Sequence, residues 1–175
     1  MERRKIYHAR LMSARPFIDS LDFARNGRQI SGEVPVAGLP RLQDALAEPH
    51  GTLQYTVHGG VDKQGNPLLD IGMTGSCRLR CQRCLGAMDH AIRIDTRLLL
   101  RDQASLDALN DEEEEFDSIL AEAHLDVLNL LEEEVLLSLP IAPRHESGAC
   151  QAAGSANTRQ EEKSPFAVLA KLKHS

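Results

Sequence analysis

Leu68-Leu-Asp-Ile-Gly-Met-Thr-Gly-Ser-Cys77-Arg-Leu-Arg-Cys81-Gln-Arg-Cys84 is the stretch on which the reading of this chain turns. Its opening residues, 68–71, and the run Cys77-Arg-Leu-Arg-Cys81 have the character of a half-buried strand, in which successive side chains point to opposite faces. Cys77, Leu79 and Cys81 share one face, so Cys77 is expected in the core as a small hydrophobe. Arg78 and Arg80 share the other face, with Arg83 just beyond the strand end. Gly72 and Gly75 predict bends or a bulge within the run.

Working outward, residues 52–57 alternate with Leu53, Tyr55 and Val57 on one face, and Asp62-Lys-Gln-Gly-Asn66 supplies the turn that leads to Leu68. Gly86 marks the next turn, and Ile92, Ile94 and Leu98 open another strand. Turns this short join sequential antiparallel strands. Upstream, residues 16–26 read as a short helix or turn ended by Asn26-Gly27. Residues 28–36 read as an edge strand carrying Pro35, and Leu42, Ala45 and Leu46 as one brief helix before Pro49.

Downstream, Asp111-Glu-Glu-Glu-Glu115 is a self-repelling run that predicts a solvated loop. Asp126 is placed to cap a helix starting at Val127, with Leu128, Leu131, Val135 and Leu139 on its inner stripe and Glu132 and Glu133 off it. Pro140 ends that helix. Residues 146–163 are small and polar and read as a flexible linker. Ser164-Pro165-Phe166 then starts a last helix with Phe166, Leu169 and Leu172 on one face. The expected fold is therefore α+β: a small antiparallel sheet or partial barrel, one long acidic helix, and a short C-terminal helix on a tether. The expected organisation is a single domain over 1–145, a linker over 146–163 and a helical segment over 164–175.

Composition limits the rest. With 42% hydrophobic residues but only four Phe, two Tyr and no Trp, the core must be aliphatic. No apolar run approaches the roughly 18 residues that cross a bilayer. The basic N-terminus lacks the apolar stretch of a secretory signal, and Pro16 disfavours an amphipathic targeting helix. A cytoplasmic location without membrane contact is expected, and there cysteines stay reduced. Charge is divided along the chain. Residues 1–101 carry 15 bases against 10 acids, residues 102–143 carry 13 acids and no base, and residues 144–175 carry 5 bases against 3 acids. Such a division guides a polyanion to one face and repels it from another.

Cys81-Gln-Arg-Cys84 and the downstream His145-x4-Cys150 together offer four soft ligands to one structural zinc ion, because a C-x-x-C turn lets two sulfurs converge. The alternative is a set of reduced cysteines without metal. A redox pair is a third reading. It calls for a helix N-terminus at the first thiol, and no helical pattern begins at Leu85, although Arg78 and Arg80 are near enough to favour a thiolate. The arginines Arg78, Arg80 and Arg83, extended by Arg93 and Arg97 on the next strand, form a candidate phosphate-binding face for nucleic acid. The competing reading is a solvated sheet face paired with Asp70, Asp89 and Asp95. No aromatic residues interleave with these arginines, so base stacking is not supported. Catalytic motifs are missing: there is no Gly-rich phosphate loop, no G-x-S-x-G and no H-E-x-x-H. His124 beside Asp126 reads as a surface histidine next to a capping carboxylate rather than an acid–base pair.

Three segments carry a resemblance. Cys81-Gln-Arg-Cys84-Leu85 follows a strand. Leu125-Asp126 leads through Glu132-Glu-Glu-Val-Leu-Leu-Ser-Leu-Pro140 to Pro143 and His145. The last is Ser164-Pro-Phe-Ala-Val-Leu-Ala-Lys-Leu-Lys173. In order and spacing they resemble the bacterial YceD family, the large ribosomal RNA subunit accumulation proteins, over residues 50–173. The resemblance implies a role in the synthesis, processing or accumulation of large-subunit (23S) ribosomal RNA, with that RNA or its precursor particle as partner. It carries over no enzymatic activity. Cys81, Cys84 and Cys150 match positions where members carry cysteines, which strengthens the zinc reading. Two rivals stand beside this function. One is an adaptor or chaperone whose acidic region holds a basic ribosomal protein without touching RNA. The other is a C-x-x-C thiol oxidoreductase.

Overall fold

The computed structural model describes residues 6–8, 15–108, 116–146 and 148–150. Three long strands form the centre, β5 (Thr52–Val61), β6 (Pro67–Arg80) and β7 (Ala87–Arg101), each antiparallel to the next. The turn between β5 and β6 is closed by its own side chain. Asp62 accepts from the backbone N–H groups of Gln64 and Asn66, both at 2.8 Å, and Gly65 takes φ +91°.

Further strands extend the sheet on both sides. Strand β3 (Gln29–Pro35) pairs antiparallel with β5, and β1 (Ile6–His8) lies parallel outside it. On the far side β8 (Asp117–Leu120) runs parallel to β7. Strand β4 (Leu46–Glu48) pairs with the end of β6, placing Leu46 opposite Leu79 and Glu48 opposite Arg78. The sheet thus has seven strands and is open. It is larger than the small sheet or partial barrel expected from sequence, because β1, β4 and β8 are short pieces whose pairing comes from contacts distant in sequence. A separate two-stranded pair joins β2 (Phe17–Ile18) to β9 (Leu125–Asp126).

Strand alternation decides where the core lies. Leu53, Tyr55 and Val57 of β5, Ile71, Met73, Cys77 and Leu79 of β6, and Ile92, Ile94 and Leu98 of β7 are buried on one face. That face is covered by α1 (Ser20–Arg25), by two 3-10 turns (Val36–Gly38 and Arg41–Ala45) and by α3 (Val127–Ser138), with a short α2 (Gln103–Asp107) outside this layer. Cys77 is in the core as its register predicts. Gly75 does not interrupt β6. A methyl group there would lie 2.5 Å from the Thr52 carbonyl, so its role is close approach of β5 rather than a bend. The brief helix expected around Leu42 is instead the second 3-10 turn, running into β4.

Helix α3 corrects a second expectation. It has twelve residues and is capped by Asp126, which accepts from Leu128 and Asn129. It ends before Pro140 as predicted, but at about 18 Å it is not a long acidic rod. Val127, Leu131 and Val135 face inward, and so does Glu132, at 2% exposure. The Glu132 carboxylate accepts from the backbone N–H groups of Arg41 (2.6 Å) and Leu42 (3.1 Å), so it fastens the second 3-10 turn to the helix. A glutamate inside an acidic run reads as solvated until the partner that buries it is known. Among the described residues no helix is long and apolar enough to cross a membrane. The acidic run 111–115, most of the expected linker and the whole expected C-terminal helix 164–175 lie outside the described residues.

Candidate metal centre

The β6–β7 hairpin closes at the Arg80–Ala87 pair and leaves residues 81–86 as a knuckle. Within it the Cys81 N–H donates to the Gly86 carbonyl at 2.9 Å, and the Leu85 N–H donates to the Cys81 carbonyl at 2.8 Å. Leu85 adopts φ +59°, a left-handed conformation that costs a non-glycine residue about 1–2 kcal/mol. This tight winding turns the Cys81 and Cys84 sulfurs toward one point.

The chain beyond α3 completes the site. Pro140 and Pro143 prevent the helix from continuing, and the Pro143 carbonyl accepts from the Gln82 N–H at 2.8 Å, which joins residues 143–150 to the knuckle. His145 and Cys150 then approach the two knuckle cysteines. The Cys81 and Cys150 sulfurs are 3.6 Å apart, the Cys84 sulfur lies 3.4 Å from His145 Nδ1, and the Cys150 sulfur lies 3.6 Å from the same nitrogen. All four donor atoms fall within 4.8 Å of one another. A tetrahedral zinc with Zn–S near 2.3 Å and Zn–N near 2.0–2.1 Å has S···S edges of roughly 3.8 Å and S···N edges of roughly 3.6 Å. The cluster has the dimensions and the donor types of such a site.

Its tautomer and its electrostatics fit as well. His145 Nε2 lies 3.0 Å from the Ala87 carbonyl. A carbonyl only accepts, so Nε2 carries the proton and the Nδ1 lone pair is left to face the sulfurs. Cys81 is fully buried, which resists its ionisation. The backbone N–H groups of Cys84, His145 and Arg83, with the Cys150 thiol, outweigh that burial and bring its pKa from 9.0 to about 5. Cys150 is likewise lowered, against its burial, chiefly by the hydrogen bond from Arg83. For Cys84 the Gly86 N–H favours the thiolate, but burial and the neighbouring Cys150 and Cys81 sulfurs together hold it above its ordinary value. Crowded thiolates that repel one another are relieved by a divalent cation at their centre.

The arginines occupy varied settings. Arg83 donates to the Cys150 sulfur through Nε at 2.9 Å, and its Nη2 lies 3.5 Å and 3.4 Å from the His145 and Glu146 carbonyls. It braces the segment that carries two ligands, a role its position in C-x-x-C does not announce. The β6–β7 register places Arg78, Arg80, Arg93 and Arg97 on the sheet face opposite the core. Arg78 pairs with Glu48 at 2.7 Å and Asp89 at 3.5 Å, Arg97 pairs with Asp70 at 2.7 Å, and Arg80 reaches the Leu46 carbonyl at 3.3 Å. Arg93 is exposed opposite Thr74. His124 stacks on Phe17 with ring centroids 4.5 Å apart, while Asp126 caps α3.

A family model described as large ribosomal RNA subunit accumulation protein YceD matches residues 69–173. That span covers more than half of the chain and begins within β6. The chain belongs to the YceD family. The part of this YceD-family chain that the match spans includes the knuckle, α3 and all four cluster residues. The family's name connects it with accumulation of the large-subunit ribosomal RNA. No solved structure matches the chain.

Proposed function

We propose that the protein is a non-catalytic cytoplasmic factor that promotes synthesis, processing or accumulation of large-subunit (23S) ribosomal RNA, and that its cysteine–histidine cluster holds one structural zinc ion. The observation that carries this reading is the YceD family match across residues 69–173. When bound, zinc would supply a fixed tetrahedral centre and neutralise the thiolate charge. Cys81, Cys84, His145 and Cys150 would fill all four positions, the arrangement of structural rather than catalytic sites. Arg83 holds residues 145–150 in place, and the splice to Pro143 joins the strand end to the chain after α3.

In this reading RNA phosphates meet Arg78, Arg80 and Arg93 on the sheet face and Arg83 just beyond the strand end. Affinity for precursor RNA should then fall steeply with salt, because phosphate contacts release counterions. Crosslinking in cells followed by sequencing of the bound fragments tests direct contact. Enrichment of 23S sequences no greater than that of an unrelated acidic protein would defeat it.

One observation favours the second reading, an adaptor for a basic ribosomal protein. Arg78 and Arg97 are already engaged by acids, so phosphates must compete with Glu48, Asp89 and Asp70 for them. A pulldown with RNase separates the two, since an adaptor keeps its protein partner after the RNA is digested.

A further inference from the structure

Beside the metal centre lies an apolar groove of about 280 Å³, lined by Ala45, Leu136, Leu139, Pro140, Ile141 and Pro143, with Leu79 and Gln82 completing it. The groove and the centre share the joint where the Gln82 N–H meets the Pro143 carbonyl. Ile141 at the groove is 104% exposed, and Leu137 on α3 is 75% exposed. With Leu85 of the knuckle at 70%, they are the three most exposed large apolar side chains among the described residues. An apolar groove rimmed by so exposed a side chain as Ile141 marks a contact surface.

We propose that this groove is the dock for the chain's own C-terminal segment, residues 164–173, with Phe166 and Leu169 as the anchors. Reach is the first support. Cys150 is held at the metal centre by Cys81, His145 and Arg83, so the path to the segment starts next to the groove. Residues 151–163 lie between. A chain of that length spans roughly 45 Å fully extended and about 20 Å as a coil average. The segment is thereby presented at millimolar effective concentration, which a second copy or a separate peptide at micromolar concentration does not match.

Pattern and charge agree with reach. Phe166, Leu169 and Leu172 recur at every third position, as an amphipathic helix requires for insertion into an apolar groove. Lys171 and Lys173 follow on the same segment, and α3 offers Glu133 and Glu134 without any lysine or arginine. Glu133 keeps a 52% exposed side chain with Arg41 only at 3.7 Å. The Glu134 carboxyl is held above its ordinary value by burial and by repulsion from Asp117 and Glu133, a charge imbalance that lysines nearby would relieve. The dock requires neither metal nor RNA, so it stands or falls apart from the proposed function.

The test uses the full chain with Phe166 replaced by photoreactive benzoylphenylalanine and irradiated at low micromolar concentration. The expected product has the mass of one chain, with the crosslink mapping to residues 136–143. Amide exchange on the unsubstituted protein gives a second measurement, in which residues 166–172 should exchange at least about tenfold more slowly than in an Ile141→Asp variant. Ile141 is fully exposed, so that variant should keep the parent's melting temperature. A crosslink to a second copy, a crosslink to any other surface, or equal exchange in the two proteins would each overturn the proposal.

Discussion

The turn between β5 and β6 and the turn between β6 and β7 belong to one meander, yet they are held in different ways. At the first, Asp62 accepts from Gln64 and Asn66, and every bond is made within five residues. At the second, the knuckle needs Pro143 to accept from Gln82, and its sulfurs face His145 and Cys150 from the other side of α3. A local turn forms when its own side chains satisfy its backbone. The knuckle gathers cysteines that could hold a metal ion only together with side chains from a distant segment. The contrast marks the second turn as the candidate metal centre, since nothing about closing a hairpin calls for three cysteines and a histidine.

The largest effect expected from breaking this contrast comes at Cys81. Cys81→Ser should reduce bound zinc, measured by elemental analysis, from about one per chain to below a tenth, because three ligands hold zinc far less tightly than four. The same change should speed amide exchange at Gln82 while leaving Asn66 unchanged. If both turns respond alike, the knuckle is not separately stabilised. Next in size is Glu132→Ala, which leaves the Arg41 and Leu42 amides without their acceptor. It should destabilise the protein by about 3 kcal/mol in urea unfolding without lowering zinc content.

Arg83→Ala is expected to act only on the second turn. Removal of the brace on Cys150 should weaken zinc about tenfold in a competition with a chromogenic chelator, while Arg83→Lys recovers part of the loss. The smallest effect belongs to the first turn. The hydrogen bond from the Asn66 side chain is the main reason the Asp62 carboxyl lies below its ordinary 3.8. A carboxyl with a lowered folded value stabilises above its unfolded value, and that contribution disappears as pH falls through the folded one. Asp62→Asn should therefore flatten the decline of melting temperature below pH 4 and leave zinc binding untouched. A change in metal content from this substitution would mean that the two turns are coupled along β6.

How much was legible follows from the range over which each feature is decided. The long strands of the meander, the Asp62 turn, the Asp126 cap and the stop at Pro140 all rest on neighbours a few residues apart, and each is readable from its own stretch. The short strands β1, β4 and β8 were not readable, because three or four residues carry no periodicity and their pairing is set by partners elsewhere. Glu132 was misread for the same reason. Its chemistry says surface, and only the two amides of the 3-10 turn make its burial tolerable. Arg83 is readable as a basic residue beyond the strand end, and only the fold shows the Cys150 sulfur beside it.

By itself, the amino-acid sequence determined the ligand types and the close pairing within each half of the cluster, since a C-x-x-C knuckle converges by local geometry alone. It also determined which face of β6 carries cysteine and which carries arginine, because side chains alternate along a strand whatever surrounds it. Only the tertiary structure decided that the two halves meet, which depends on α3 packing across the sheet and on the chain returning from Pro140 to Gln82. It also decided that arginines of one face are divided between acids and a carbonyl, while Arg83 of the knuckle meets a sulfur. Charges and ligands act through distance, and distances between segments sixty residues apart exist only once the core has folded.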